Sequence, residues 1–168
     1  MRVLLFEWTR GGHHPVYVRR FAEALAPAAE VTVAVPDELA GLMDDLPPSV
    51  ELHELGPARP GWDQSRSLRD QRRELADREL DLLEQAIATV RPDRAIHLSA
   101  DPVLRRLLRR GPLGAPLSAC VHHPRAHSPS QYGQSHPPRE RVKAVYFEYV
   151  VSQSDKPMVW PTKEFFFQ

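Results

Sequence analysis

The amino-acid sequence predicts an α/β domain with a mostly parallel sheet flanked by helices, and three observations carry that expectation. The apolar run Val3-Leu4-Leu5-Phe6 empties into Arg10-Gly11-Gly12-His13-His14-Pro15, after which a helical pattern begins. A second run, Val31-Thr32-Val33-Ala34-Val35, follows that helix and closes at Pro36. Short apolar runs then keep alternating with helical stretches as far as Val121. Continuous leucine-rich or β-branched runs suit strands buried on both faces, and strand, helix, strand is the order of a parallel crossover unit.

The elements follow in order. Val16, Val18, Phe21, Ala22 and Leu25 approximate a 3.6-residue period, so the first helix should pack this face on the sheet. Positions 37 to 46 predict a short helix closed by Pro47-Pro48, and Val50-Glu51-Leu52-His53-Glu54-Leu55 alternates as a third strand does. After a Pro/Gly-rich loop, Leu68, Leu75, Leu82, Leu83, Ile87 and Val90 predict a long helix from about Ser67 to Val90. Its charged residues Arg69, Arg72, Arg73, Glu74, Arg78 and Glu79 are expected on a solvated face with i to i+4 pairs, in preference to a polyanion site. Arg91-Pro92-Asp93 stops it, and Arg94-Ala95-Ile96-His97-Leu98 is the fourth strand. Asp101 or Ser99 is placed to cap a short helix carrying Arg105, Arg106, Arg109 and Arg110. These arginines are expected in solvent, phosphate or an acidic membrane surface being the competing partners. Leu117 to Val121 is the fifth strand. Residues 124–138 read as a surface loop and 139–151 as a further helix, so one Rossmann-like domain is expected over residues 1–151 with an atypical tail at 152–168.

A strand that ends in a glycine loop and a helix start sets backbone N–H groups at the carboxyl edge of the sheet, where open α/β sheets bind ligands. The loop lacks GxGxxG spacing, and the second strand ends in Val35-Pro36 without an acid for a ribose, which argues against a dinucleotide. There is no P-loop lysine either. If all strands are parallel, the fifth delivers His122-His123-Pro124-Arg125-Ala126-His127 to the same edge. His13, His14, His122, His123 and His127 invite a zinc reading, yet no HExxH or cysteine pair supports it, so no metal and no resident cofactor is expected.

The stretch from Arg2 to Pro36, through Gly11-Gly12, Tyr17-Val18, Phe21, Ala22, Ala24-Leu25 and Val31-Thr32-Val33, resembles the amino-terminal opening of GT-B glycosyltransferases, especially the retaining family-4-like group. The resemblance implies the amino-terminal, acceptor-side half of a two-domain fold, truncated before the donor-binding half. It implies a nucleotide-sugar co-substrate and transfer to an acceptor hydroxyl on a small molecule, lipid or polysaccharide. Gly11 and Gly12 would then approach the diphosphate, and His122, with His123 behind it, would orient the donor sugar as the catalytic position. His13, His14, Asp101 and Arg125 would border the acceptor. Such a chain would need a donor-binding protein partner. A non-catalytic relative acting as a binding or assembly module is the alternative.

Composition bounds these readings. The chain of 168 residues is one domain by size and too short for a whole two-domain transferase. Its 22 basic and 22 acidic side chains give no global field for nucleic acid, which is not expected as a partner. Cys120 alone forms no internal disulfide and favours a reducing cytoplasm. No signal peptide or long apolar span is evident, and peripheral membrane contact is left open.

Overall fold

In the computed structural model the chain folds as an α/β unit, described for residues 1–61 and 63–120. Five strands, β1 (Arg2–Phe6), β2 (Glu30–Val35), β3 (Val50–Glu54), β4 (Arg94–His97) and β5 (Leu117–Ala119), form one sheet in the order β3-β2-β1-β4-β5. All four neighbouring pairs are parallel. Between them run α1 (His14–Leu25), α2 (Asp37–Ala40), α3 (Leu68–Val90) and α4 (Leu104–Arg110).

The period-2 geometry of β1 divides its side chains between two cores. Val3 and Leu5 pack with Val18 and Ala22 of α1, with Val31, Val33 and Val35 of β2, and with Leu39 of α2. Leu4 and Phe6 pack on the opposite face with Leu80, Leu83 and Ile87 of α3 and Leu104 and Leu107 of α4. Val3, Leu4, Leu5 and Phe6 are each at most 2% exposed, so each contributes roughly 2 kcal/mol of burial. That is why the strand is apolar throughout rather than alternating.

The chain winds outward from β1 to β2 and β3, then returns past β1 to β4 and β5. The reversal lies between β1 and β4, whose register pairs Phe6 with His97. Ligands of open α/β sheets bind in the crevice at such a reversal, outside the carboxyl ends of the strands.

Several boundaries depart from the sequence expectation. Val16 is 52% exposed, so α1 buries a narrower face than its apolar residues suggest. The α2 helix is a single turn ending at Ala40: the Gly41 amide still bonds the Asp37 carbonyl, but Leu42 and Met43 then turn back i→i−3 onto Leu39 and Ala40. Neither Asp101 nor Ser99 caps α4: its N-cap is Val103, without a side-chain cap. α3 runs as expected to Val90, where Arg91 takes a left-handed conformation (φ 50°) and donates its amide to the Ile87 carbonyl. Acidic residues of α3 pair with α4: Asp77 with Arg106, and Asp81 and Glu84 with Arg110. Arg106 and Arg110 are thereby tied to carboxylates. The expected helix at 139–151, the loop at 124–138, the tail at 152–168 and the domain boundary at 151 lie outside the described residues.

Candidate functional site at the carboxyl edge of the sheet

One residue past the β1 ladder stands Glu7, a fully buried carboxylate at the reversal point. Its amide still donates to the Ala34 carbonyl, so the backbone continues the strand and fixes where the side chain starts. Glu7 Oε1 accepts from Thr9 N at 2.8 Å and from Ser99 Oγ at 2.8 Å. Glu7 Oε2 lies 2.8 Å from His14 Nδ1, the first residue of α1. Burial alone would push the carboxyl up; the hydrogen bond and charge of His14, then His97, then the Thr9 amide outweigh it and hold it below its ordinary value.

Behind Glu7 lies a second buried pair. His97 closes β4 and is fully buried, with its ring edge-on to Phe6 at a centroid distance of 5.0 Å. Its Nδ1 accepts the Ser99 amide at 3.2 Å, which leaves the ring proton on Nε2. That nitrogen stands 3.2 Å from Glu79 Oε1, within ion-pair reach but too far off line for a hydrogen bond. Glu79 Oε2 is reached by Arg59 Nη1 at 3.5 Å. Glu79 therefore corrects the sequence expectation: it is buried on the α3 face that meets the sheet, while Arg69, Arg72, Arg73, Glu74 and Arg78 are exposed as expected. A carboxylate on this face is retained because a histidine and an arginine meet it there.

The loops above the edge are stitched together. Trp8 Nε1 donates to the Pro57 carbonyl, Arg59 N donates to the Trp8 carbonyl, and Ala58 N donates to Glu38 Oε2. The first two bonds bring the β3–α3 loop across to the β1–α1 loop and the third ties it to α2, which is what carries Arg59 to Glu79.

Of the residues expected at the site, Gly11, Gly12, His13 and His14 do lie at this edge between β1 and α1. Gly12 has φ 67°, a left-handed turn that glycine adopts without strain, and a Cβ at either glycine would meet open space. His13 is exposed and stacks on His14 at 4.9 Å, with Tyr17 tilted against it at 4.7 Å. Asp101 is half-buried in the turn after β4, three residues before α4. His122, His123, Arg125 and His127 lie outside the described residues. Glu7, Ser99, His97, Glu79 and Arg59 were not expected as site residues. The signals available were a charged residue directly after a four-residue apolar run, and a histidine inside an apolar strand.

Among the described residues no group of three or more His, Cys, Asp or Glu is placed to hold a metal ion, and no helix is long and apolar enough to cross a membrane. Cys120, next to the edge, has its thiol pushed up to about 11 by burial and by the Glu7 charge. A groove of about 440 Å³ lies at the opposite end of the sheet, lined in part by Arg2, Glu84, Arg91 and Asp93, and has no share in this cluster.

No protein-family model and no curated protein matches the chain. Solved structures do. SsfS6, a glycosyltransferase of Streptomyces sp. SF2575, aligns over 91% of this chain and 44% of its own, with 17% identity and a TM-score of 0.50. The glycotransferase of kitacinnamycin aligns over 94% and 41%, with 19% identity and a TM-score of 0.49. The C-terminal domain of a hydrogenase from Pyrococcus furiosus aligns over 71% and 91%, with 12% identity and a TM-score of 0.44. The chain spans less than half the length of the two transferases. The likeness to SsfS6 is one of fold: a Rossmann-like α/β unit with an all-parallel sheet.

Proposed function

We propose that the chain supplies the acceptor side of a glycosyl-transfer site, in which a sugar passes from a nucleotide-sugar to an acceptor hydroxyl. The observation that supports this most is the Glu7–His14 pair at the β1/β4 reversal of a GT-B-like fold. An acceptor hydroxyl attacks only as it loses its proton, and a histidine held by a carboxylate is suited to take it. With Nδ1–H donated to Glu7, the ring carries its lone pair on Nε2. His14 binds the acceptor hydroxyl through that nitrogen and takes its proton. Glu7, kept ionised, stabilises the imidazolium so formed. The C–O bond to the diphosphate breaks, its electron pair leaves with the nucleotide diphosphate, and the acceptor oxygen forms the new bond to the anomeric carbon.

The remaining roles rest on the sequence resemblance. Gly11 and Gly12 allow backbone to approach the diphosphate, His122 and His123 orient the donor sugar, and His13, Asp101 and Arg125 border the acceptor. Leaving-group charge is the main thing such donors stabilise. A donor-binding partner protein completes the site, and lipid or polysaccharide acceptors would call for peripheral membrane contact.

The test is nucleotide diphosphate release from a panel of nucleotide sugars, by the chain alone and with the products of neighbouring genes. Release that H14A lowers by about 10²- to 10⁴-fold supports the reading. Product configuration is a second readout: a base on the acceptor directs attack opposite the leaving group and inverts the anomeric centre, in contrast to the retaining group that the sequence resembles. Retention with an undiminished H14A rate would remove His14 from the chemistry. No release from a folded chain in either setting would favour a non-catalytic module.

A further inference from the structure

The polar groups behind Glu7 close into a circuit. Glu7 Oε1 accepts from Ser99 Oγ, the Ser99 amide donates to His97 Nδ1, His97 Nε2 faces Glu79 Oε1, and Glu79 Oε2 meets Arg59 Nη1. The Arg59 amide donates to the carbonyl of Trp8, the residue beside Glu7. The circuit ties the ends of β1 and β4 to α3 and to the β3–α3 loop. Ser99 is 6% exposed and takes part in it twice, through its amide and its hydroxyl.

The geometry points to Ser99 as a positioning residue for the Glu7–His14 pair, its hydroxyl holding one carboxylate oxygen so that the other faces His14 Nδ1. This rests on the function proposed above. A carboxylate plane turns about a soft terminal torsion, so what fixes its plane is the partner of each oxygen. Thr9 N, two residues along the same chain, moves with Glu7; Ser99 comes from the turn that follows the neighbouring strand β4 and supplies the reference that does not. The backbone at Ser99 is itself anchored on a fully buried ring, so the hydroxyl starts from a fixed point. His97 acts on the pair through this anchor and through its charge on Glu7, and Arg59 reaches it through the Trp8 carbonyl.

The test reads the pair directly, without turnover. In the ¹⁵N-labelled full chain, long-range proton–nitrogen correlations report which nitrogen of His14 carries the proton, and exchange of that proton with water reports how well it is held. The wild-type protein is expected to show a protected Nδ1–H. S99A should exchange that proton about tenfold faster, the loss of one charge-assisted hydrogen bond, and S99T, which keeps the hydroxyl, should restore protection. If S99A does not fold, S99C keeps the shape with only a weak S–H donor and carries the same comparison. S99A or S99C with the wild-type His14 signature, alongside an E7Q variant that loses it, overturns the role of Ser99 while leaving the pair intact. An E7Q variant that keeps the signature overturns the pair itself, and with it the proposed function.

Discussion

Replacing Glu7 by glutamine separates the carboxylate's charge from its shape. Glu7 is fully buried, with Thr9 N, Ser99 Oγ and His14 Nδ1 each at 2.8 Å. In the variant the amide oxygen can keep Thr9 and Ser99, while the amide nitrogen faces His14, which accepts only after moving its proton to Nε2. A hydrogen bond to a charged group is worth about 1.5–3 kcal/mol against about 0.5–1.5 for a neutral one, so three such bonds lose roughly 3 kcal/mol together. Ending the desolvation of a buried charge returns part of that. The net loss at pH 7 is about 1–2 kcal/mol, a fall in Tm of roughly 3–6 °C for a domain of this size.

The pH dependence carries its own sign. The folded-state carboxyl of Glu7 is held below its ordinary value of 4.5, so it binds fewer protons folded than unfolded. Its stabilisation is complete above the ordinary carboxylate range and is lost as pH falls through the lowered folded value. Urea unfolding of both proteins between pH 7.5 and 3.5 is the assay. The gap between wild type and E7Q should narrow below about pH 4.5. Equal stability at pH 7, or a gap that widens in that acid range, would refute the assignment of a depressed, charge-holding carboxyl.

Three further outcomes are expected. Arg91 is exposed and holds φ 50° at the end of α3, so R91G should relieve left-handed strain and stabilise the fold by about 0.5–1 kcal/mol, seen as a higher urea midpoint. Leu83 is fully buried between α3 and the sheet, and L83A should cost about 2–5 kcal/mol by thermal unfolding. Cys120, with its thiol pushed up to about 11, should react with iodoacetamide at pH 8 about a hundredfold more slowly in the folded chain than in urea; equal rates would remove the burial and Glu7 effects.

How much of the site was legible differs from residue to residue. Gly11, Gly12, His13 and His14 could be placed at the carboxyl edge from sequence, because a strand followed at once by a helix leaves its loop nowhere else to go. Ser99 reads in sequence as an N-cap, a local role. In the fold its hydroxyl bonds a residue 92 positions away. Glu79 reads as solvated because five charged neighbours surround it, yet the 3.6-residue period turns it, with Leu80 and Leu83, toward the sheet. His97 in an apolar strand was visible; that its partner would be a carboxylate of α3 was not.

The sequence by itself determined the strands, the long helix and a mostly parallel sheet, since burial on both faces demands apolar runs and parallel crossovers demand helices between them; that every pair is parallel came from the fold. Local pattern also set the glycine loop and the end of α3 at Arg91-Pro92. Only the tertiary structure decided that Glu7, Ser99, His97, Glu79 and Arg59 meet, because their side chains join segments far apart in the chain, as much as 92 residues for Ser99 and Glu7. Such pairings leave no periodic trace in the chain. They become necessary only when the strand order sets β4 beside β1, shuts out water, and leaves each buried charge to be answered by another side chain.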